Sequence, residues 1–229
     1  MLADAPVAYY RFDGDLSGGQ VLSAVDGAPP GVVDGAPLES VAGALAGDPS
    51  AAARFVDSSV SLGDAFDFIP ASPFTIEAWL KPDAPLSADF PKLFSKYIGE
   101  AAGSGGYEGY YFTVRSSGLS FAFEPLGSVE IFAVSAPPPP ATDFTYVAVT
   151  YDGMAGAKLY ANGEFIDTLE APFAALTLDS VFRLGEGPDT PRFKGVIDEF
   201  AVYPKALSPA AIDAHYRLGR EGPGAVARR

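Results

Sequence analysis

Apolar and polar residues alternate with period two over much of this chain. From Phe74 to Lys81, the side chains of Phe74, Ile76, Ala78 and Leu80 fall on one face of an extended segment and those of Thr75, Glu77, Trp79 and Lys81 on the other, with Pro73 and Pro82 as brackets. Val7 to Phe12 predicts a short apolar strand, and Leu93 to Ile98 predicts another. Tyr110 to Arg115 and Leu119 to Glu124 predict a hairpin across Ser116-Ser117-Gly118. Phe144 to Gly153, Lys158 to Ile166 and Gly195 to Tyr203 continue the pattern, and Asn162-Gly163 between two alternating runs is a type I′ hairpin signal, because both central positions of that turn need positive φ.

Between these runs stand turns and breakers. The region from Phe12 to about Gly47 carries Asp26-Gly27, Pro29-Pro30, Asp34-Gly35 and Asp48-Pro49, and reads as a loop-rich quarter. Ala53 to Leu62 alternates weakly and predicts a strand broken at Asp57-Ser58-Ser59, while Gly99 to Gly109 holds five glycines and predicts a loop. Pro137 to Pro140 lacks amide donors and must lie outside any central strand. Ser208-Pro209 before Ala210 to Leu218, closed by Gly219, predicts one helix, with an N-cap serine and a proline in the first turn.

Together these elements predict an all-β protein: a two-sheet antiparallel jelly-roll β-sandwich with one short C-terminal helix. Residues 1–220 are expected to form one domain and 221–229 a tail. With 229 residues, 17 Phe and 11 Tyr, the chain has enough large side chains for a two-sheet core.

Composition narrows the chemistry. A formal charge of −14 repels phosphate backbones and anionic lipid, so nucleic acid is not an expected partner. No stretch of about 18 apolar residues occurs, and no membrane insertion is expected. With no cysteine and a single histidine, His215, thiolate metal sites, cysteine nucleophiles and multi-histidine zinc or copper sites are excluded. No serine elbow or phosphate-binding glycine motif is present, so a hydrolase triad and nucleotide hydrolysis have no sequence support, and His215 reads as a surface or docking residue. The start, Met1 to Pro6, shows no basic and apolar leader, which gives the expectation of a cytoplasmically made chain if the sequence is complete.

In family order, Val7 to Phe12, Phe74 to Pro82, Tyr146 to Asp152 with the Asn162-Gly163 hairpin, and Gly195 to Glu199 running into Tyr203 to Ser208 resemble the laminin-G-like members of the concanavalin A-like jelly-roll superfamily. The resemblance implies two antiparallel sheets of roughly six or seven strands and a buried tryptophan at Trp79. It also implies calcium as the ion to look for, between the N-terminal acidic loop and the penultimate strand, at Asp13, Asp26 and Asp198; the loop here reads Asp26-Gly27-Ala28-Pro29-Pro30, poor in side-chain oxygen, so turn-forming aspartates are the competing reading. It does not imply one activity.

For sugar binding, aromatic faces and nearby polar groups are required, and Tyr97, Glu100, Tyr107, Glu108, Tyr110 and Tyr111 around the glycine-rich loop form the candidate platform. Within a strand, Tyr110 and Tyr111 must point to opposite faces, and packing is the competing role for each. Glycosidases of this fold carry Glu-x-Asp-x-x-Glu or Glu-x-Asp-x-Glu on one strand; neither occurs, and the adjacent Asp198 and Glu199 are expected to alternate across the sheet. The expected function is thus a non-catalytic attachment module that engages a glycan or protein surface, alone or as a homo-oligomer. A bacteriophage virion component, in tail or capsid decoration, is the first setting; a carbohydrate-binding or adhesion module of a secreted bacterial surface protein is the alternative; a glycosidase using Glu77 or Glu199 is the third.

Overall fold

The computed structural model describes residues 1–68, 72–86, 88–98, 108–124, 132–154, 156–170, 179–187 and 190–222. After a 3-10 turn at Leu2–Asp4 come β1 (Ala8–Tyr10), β2 (Gln20–Val21), β3 (Gly31–Gly35), β4 (Glu39–Ala42), β5 (Ala51–Phe55) and β6 (Ser58–Ser61). The middle of the chain supplies β7 (Phe74–Pro82), β8 (Lys92–Ile98), β9 (Glu108–Arg115), β10 (Gly118–Glu124) and β11 (Phe132–Ala136). The last third gives β12 (Thr145–Tyr151), β13 (Ala157–Ala161), β14 (Glu164–Leu169), β15 (Phe182–Leu184), β16 (Gly195–Tyr203) and helix α1 (Pro209–Glu221).

These strands form two antiparallel sheets of eight. The first has the order β14-β13-β12-β7-β16-β5-β4, with β1 also paired to β16; the second runs β11-β10-β9-β8-β15-β6-β3-β2. The order carries the chain repeatedly from one sheet to the other, as a jelly roll requires. Each sheet holds more strands than the expected six or seven because the quarter read as loop contributes β2, β3 and β4. Those strands are short, and β4 is half-buried at most, so turn residues dilute their alternation.

Period-two alternation then sets the layers. Phe74, Ile76, Ala78 and Leu80 of β7 face the second sheet, where they meet Phe94, Tyr110, Phe112, Phe121 and Phe182 in one continuous apolar core. Thr75, Glu77 and Trp79 face the other way; α1 covers Glu77 and Trp79, and Lys205 and Leu207 just before it bond Thr75. Ser208 accepts a hydrogen bond from the Ala211 amide at 3.2 Å and starts the helix, with Pro209 in its first turn. Gly219 lets α1 approach, since a β-carbon there would lie 2.5 Å from the Trp79 ring. Tyr216 stacks on Trp79 at 5.8 Å between centroids, so the tryptophan is fully buried, beneath the helix rather than between the sheets.

The Asn162-Gly163 turn joins β13 to β14 with φ of 49° and 79° at its two residues. The chain also leaves β11 at Ala136, immediately before Pro137 to Pro140. Residues from 223 on, most of the expected tail, lie outside the described residues.

Candidate functional site

With α1 covering the first sheet, the outward face of the second sheet is where polar and aromatic groups gather. Alternation sends Ser95 and Tyr97 of β8, Tyr111, Thr113 and Arg115 of β9, and Ser120, Ala122 and Glu124 of β10 to this face, and a register shift between Lys92 and Phe94 brings Lys92 there too, opposite Thr113. Tyr97 and Tyr111 meet edge to face at 5.2 Å. The Lys92 ammonium sits 3.5 Å from the Tyr111 ring centroid, 6.0 Å from Tyr97 and 5.8 Å from Phe90, and the Arg115 guanidinium lies 4.5 Å from the other end of this strip, over Phe90. The Tyr111 hydroxyl donates to Glu124 at 2.7 Å. Phe90 is 50% exposed, an open aromatic surface at the end of a row whose other members are buried.

Tyr97 also lines a groove of about 320 Å³, with Asp64, Ile98, Asp179, Ser180, Val181 and Arg183 as its other walls. Lys96 fastens the walls together from beneath. Its ammonium is fully buried and bonds Asp64 at 2.6 Å, Asp67 at 2.9 Å and the Ser180 carbonyl at 3.0 Å. The Ser180 hydroxyl in turn donates to the Tyr97 carbonyl at 3.1 Å. An aromatic wall with carboxylates, a hydroxyl and a guanidinium around a cleft of this size is the chemistry that holds a polar ring.

The predicted platform is divided by the structure. Tyr97 and Tyr111 come together on this face, although each is only 7% exposed and neither offers an open ring. Tyr110 does not belong to it: its ring is buried among Phe68, Phe74 and Phe121, its hydroxyl donates to the Phe66 carbonyl at 2.6 Å, and burial holds its phenol well above the usual range. Alternation assigned Tyr110 and Tyr111 to opposite faces, and the inner one is packing. Glu108 begins β9 opposite Ile98, half-buried, with its carboxyl pushed up by burial. Glu100 and Tyr107 lie outside the described residues. Phe90, Lys92, Arg115, Glu124 and Arg183 were missed as site residues. An aromatic residue directly before Pro91, followed by an isolated lysine, was the available signal, but only the pairing of β8 with β9 and β15 makes it a row.

Residues 55–213 match the sequence profile described as the concanavalin A-like lectin/glucanases superfamily. The chain belongs to this superfamily. Among its structural neighbours is domain 4 of an extracellular arabinanase from Geobacillus stearothermophilus, solved in complex with arabinotriose; it shares 20% identity at a TM-score of 0.69, over 91% of this chain and 97% of that one. The binding domain of Paraclostridial Mosquitocidal Protein 1 shares 15% identity at a TM-score of 0.70, over 95% of this chain but 53% of that one. The botulinum neurotoxin serotype D ligand binding domain, solved with N-acetylneuraminic acid, shares 15% identity at a TM-score of 0.67, over 98% of this chain and 52% of that one. A search of the curated proteins found no match. At these identities the likeness is one of fold.

Superfamily resemblance pointed to calcium at Asp13, Asp26 and Asp198, and the side chains present do not converge on one ion. Asp198 spends both carboxylate oxygens on backbone amides, those of Ala44 at 2.7 Å and Glu199 at 2.8 Å. Asp13 accepts from the Ala51 amide and pairs with Arg11 at 3.1 Å; Asp48 and Glu199 pair with the same guanidinium, each at 3.3 Å. Asp26 is exposed in its own turn. Among the described residues, no three His, Cys, Asp or Glu side chains are placed to hold a metal ion, and Arg11 supplies the positive charge to this acidic end.

The expectation that Asp198 and Glu199 alternate across the sheet is corrected. A bulge interrupts the pairing of β16 with β7 between Asp198 and Ala201, and Glu199 takes φ of 52°, so both carboxyls turn to the outer side of the first sheet. Glu199 accepts there from the Tyr9 hydroxyl as well as from Arg11. Burial pushes Asp198 and Glu199 up to about 7 each. Both are fully buried. Glu77, also on this side, accepts from the hydroxyls of Tyr146 at 2.5 Å and Tyr203 at 2.7 Å and bonds His215 Nδ1 at 3.0 Å, while His215 Nε2 reaches Asp4 at 3.0 Å. His215 is thus a docking residue that ties α1 and the N-terminal turn to the sheet.

Proposed function

We propose that this domain is a non-catalytic glycan-binding module that uses the outward face of its second sheet. The observation that carries the reading is the continuous strip from half-exposed Phe90 through Lys92, Tyr111 and Tyr97 into the groove with Arg183. Sugar rings present apolar C–H faces that stack on aromatic surface and hydroxyls that bond carboxylates, guanidinium and hydroxyl groups, and this strip offers both kinds of contact. Complexes of same-fold neighbours with arabinotriose and with N-acetylneuraminic acid are consistent with a glycan as the partner.

The non-catalytic part of the reading rests on the carboxyls. Glycoside hydrolysis needs two of them flanking an accessible bond. Here Glu77 is enclosed by Tyr146, Tyr203 and His215, and Asp198 and Glu199 are committed to amides, Tyr9 and Arg11. Virion and cell-surface settings would both use the same face, and the proposal does not depend on which is correct.

Isothermal titration against the best hit of a glycan array tests it. Phe90→Ala should weaken binding about tenfold, the worth of one aromatic stacking contact, with thermal unfolding unchanged because that ring is half-exposed, and Tyr97→Ala should weaken binding by removing a wall of the groove. Binding that survives both changes would place the ligand elsewhere.

A further inference from the structure

Cations on and beneath this face are treated unequally. Arg192 is neutralised by Glu186 at 3.0 Å and Asp34 at 2.7 Å and donates to the Asp57 carbonyl at 2.7 Å. Lys96 is neutralised by two aspartates, as described above. Lys92 is not. Lys92 as a whole is only 4% exposed, with its ammonium still reached by solvent; that ammonium makes no hydrogen bond or ion pair among the described residues and lies against the rings of Tyr111, Tyr97 and Phe90. Glu124, on β10 and one strand beyond β9, bonds the Tyr111 hydroxyl.

An ammonium that keeps only part of its hydration is short of acceptors, and most lysines with stems buried this far are paired for that reason. The fold nevertheless holds this one in place. Its stem packs on Gly187, where a β-carbon would lie 2.6 Å from Lys92 Cγ, and β8 pairs on both sides, with β9 and β15. Tyr111 offers the ammonium its π face, which partly offsets lost hydration but leaves its N–H donors unused. Arg115 stands beside it over Phe90, so two cations share one end of the strip in a protein whose formal charge is −14. Burial pushes the Lys92 ammonium down to about 8, with Glu124 opposing and Arg115 adding to the effect.

Resting on the glycan reading of this face, we infer that the strip selects sugars bearing a carboxylate, with Lys92 as the donor that receives it and Arg115 as its flank. A carboxylate at the Lys92 ammonium supplies the missing acceptor, while the ring that carries it stacks on Phe90. Acidic sugars of two kinds, uronic and sialic, share this chemistry.

The experiment compares binding of a galacturonate trimer, its methyl ester, 3′-sialyllactose and a sulfated galactose trimer to wild type, Lys92→Met, Lys92→Arg and Tyr97→Ala. One or both carboxylate probes should bind at least about tenfold tighter than the neutral ester, the worth of one charge-assisted hydrogen bond. Lys92→Met, which keeps the stem and loses the charge, should remove that preference, and Lys92→Arg should retain it. Whether the uronate or the sialoside shows it identifies the source. Tyr97→Ala should weaken the acid and the ester alike. Equal affinity for acid and ester, a preference that persists in Lys92→Met, or tighter binding of the sulfated probe would overturn the inference while leaving glycan binding intact. Failure of every probe and of the whole glycan array would remove the glycan reading and the inference with it.

Discussion

Replacing Glu77 with alanine should nearly unfold the domain, because one buried carboxylate serves three donors. Tyr146 and Tyr203 donate their hydroxyls at 2.5 and 2.7 Å, and His215 Nδ1 lies at 3.0 Å; Glu77 is 1% exposed. Each stranded donor costs about 1–3 kcal/mol, so the loss is roughly 3–6 kcal/mol once some water enters the space left behind. Domains of this size are stable by only about 5–15 kcal/mol, and each kcal/mol moves Tm by about 2–4 °C. Thermal unfolding followed by near-ultraviolet circular dichroism should therefore drop by about 10 °C or more. Glu77→Gln keeps one acceptor and should lose about half as much. A pH arm isolates His215. Burial opposes its charge, but the hydrogen bond and charge of Glu77, with Asp4, outweigh burial and hold its pKa above the ordinary value. A raised histidine pKa means the stabilisation is fully present below about 6.5 and is lost as pH rises through the folded value. Glu77→Gln should flatten that slope. An alanine variant melting within about 2 °C of wild type would refute the reasoning.

The buried pair Asp198 and Glu199 gives a second pH effect of the same sign. Their folded pKa values, about 7, lie above the unfolded ones, so the folded state binds more protons and stability should fall between pH 5 and 8 by roughly 2–3 kcal/mol per group; urea titrations that are flat or rising over that range would contradict it. Gly35→Ala should destabilise by about 2–4 kcal/mol, since φ there is 87° and a β-carbon would lie 2.0 Å from Arg192 Nη1 and 2.3 Å from the Asp57 carbonyl, whereas Gly14→Ala, with nothing within 4 Å, should be neutral in the same melt. Asn162→Ala should cost about 1–2 kcal/mol in urea unfolding, from its positive φ and from loss of the 3.1 Å bond that Oδ1 accepts from the Tyr146 amide; Asn162→Gly should cost less, and equal losses would remove φ as the cause.

Much of the fold could be read residue by residue. The alternation in Phe74 to Lys81 divides core from outer face as the structure does, the Asn162-Gly163 turn joins two paired strands, and Ser208-Pro209 starts the helix. Local geometry and propensity dominate at such places. The legibility weakens where contacts are long-range. Strands β2 to β4 are held as strands by partners elsewhere in the sheets, and Glu199 leaves its expected face because of a bulge that no pair of adjacent letters announces. For the candidate site, Tyr97 and Tyr111 were legible as tyrosines of neighbouring strands, but their shared row with Phe90 and Lys92 was not.

Sequence alone determined that these segments are strands with two faces, that the protein has an apolar interior and an acidic exterior, and that thiol and multi-histidine chemistry are absent. Only the tertiary structure decided which outer face the helix takes, which face stays uncovered, and that the Lys92 ammonium lies among rings with no ion pair among the described residues. Alternation is a local property of an extended chain, whereas covering a face or stranding a charge depends on residues brought together from distant parts of the sequence.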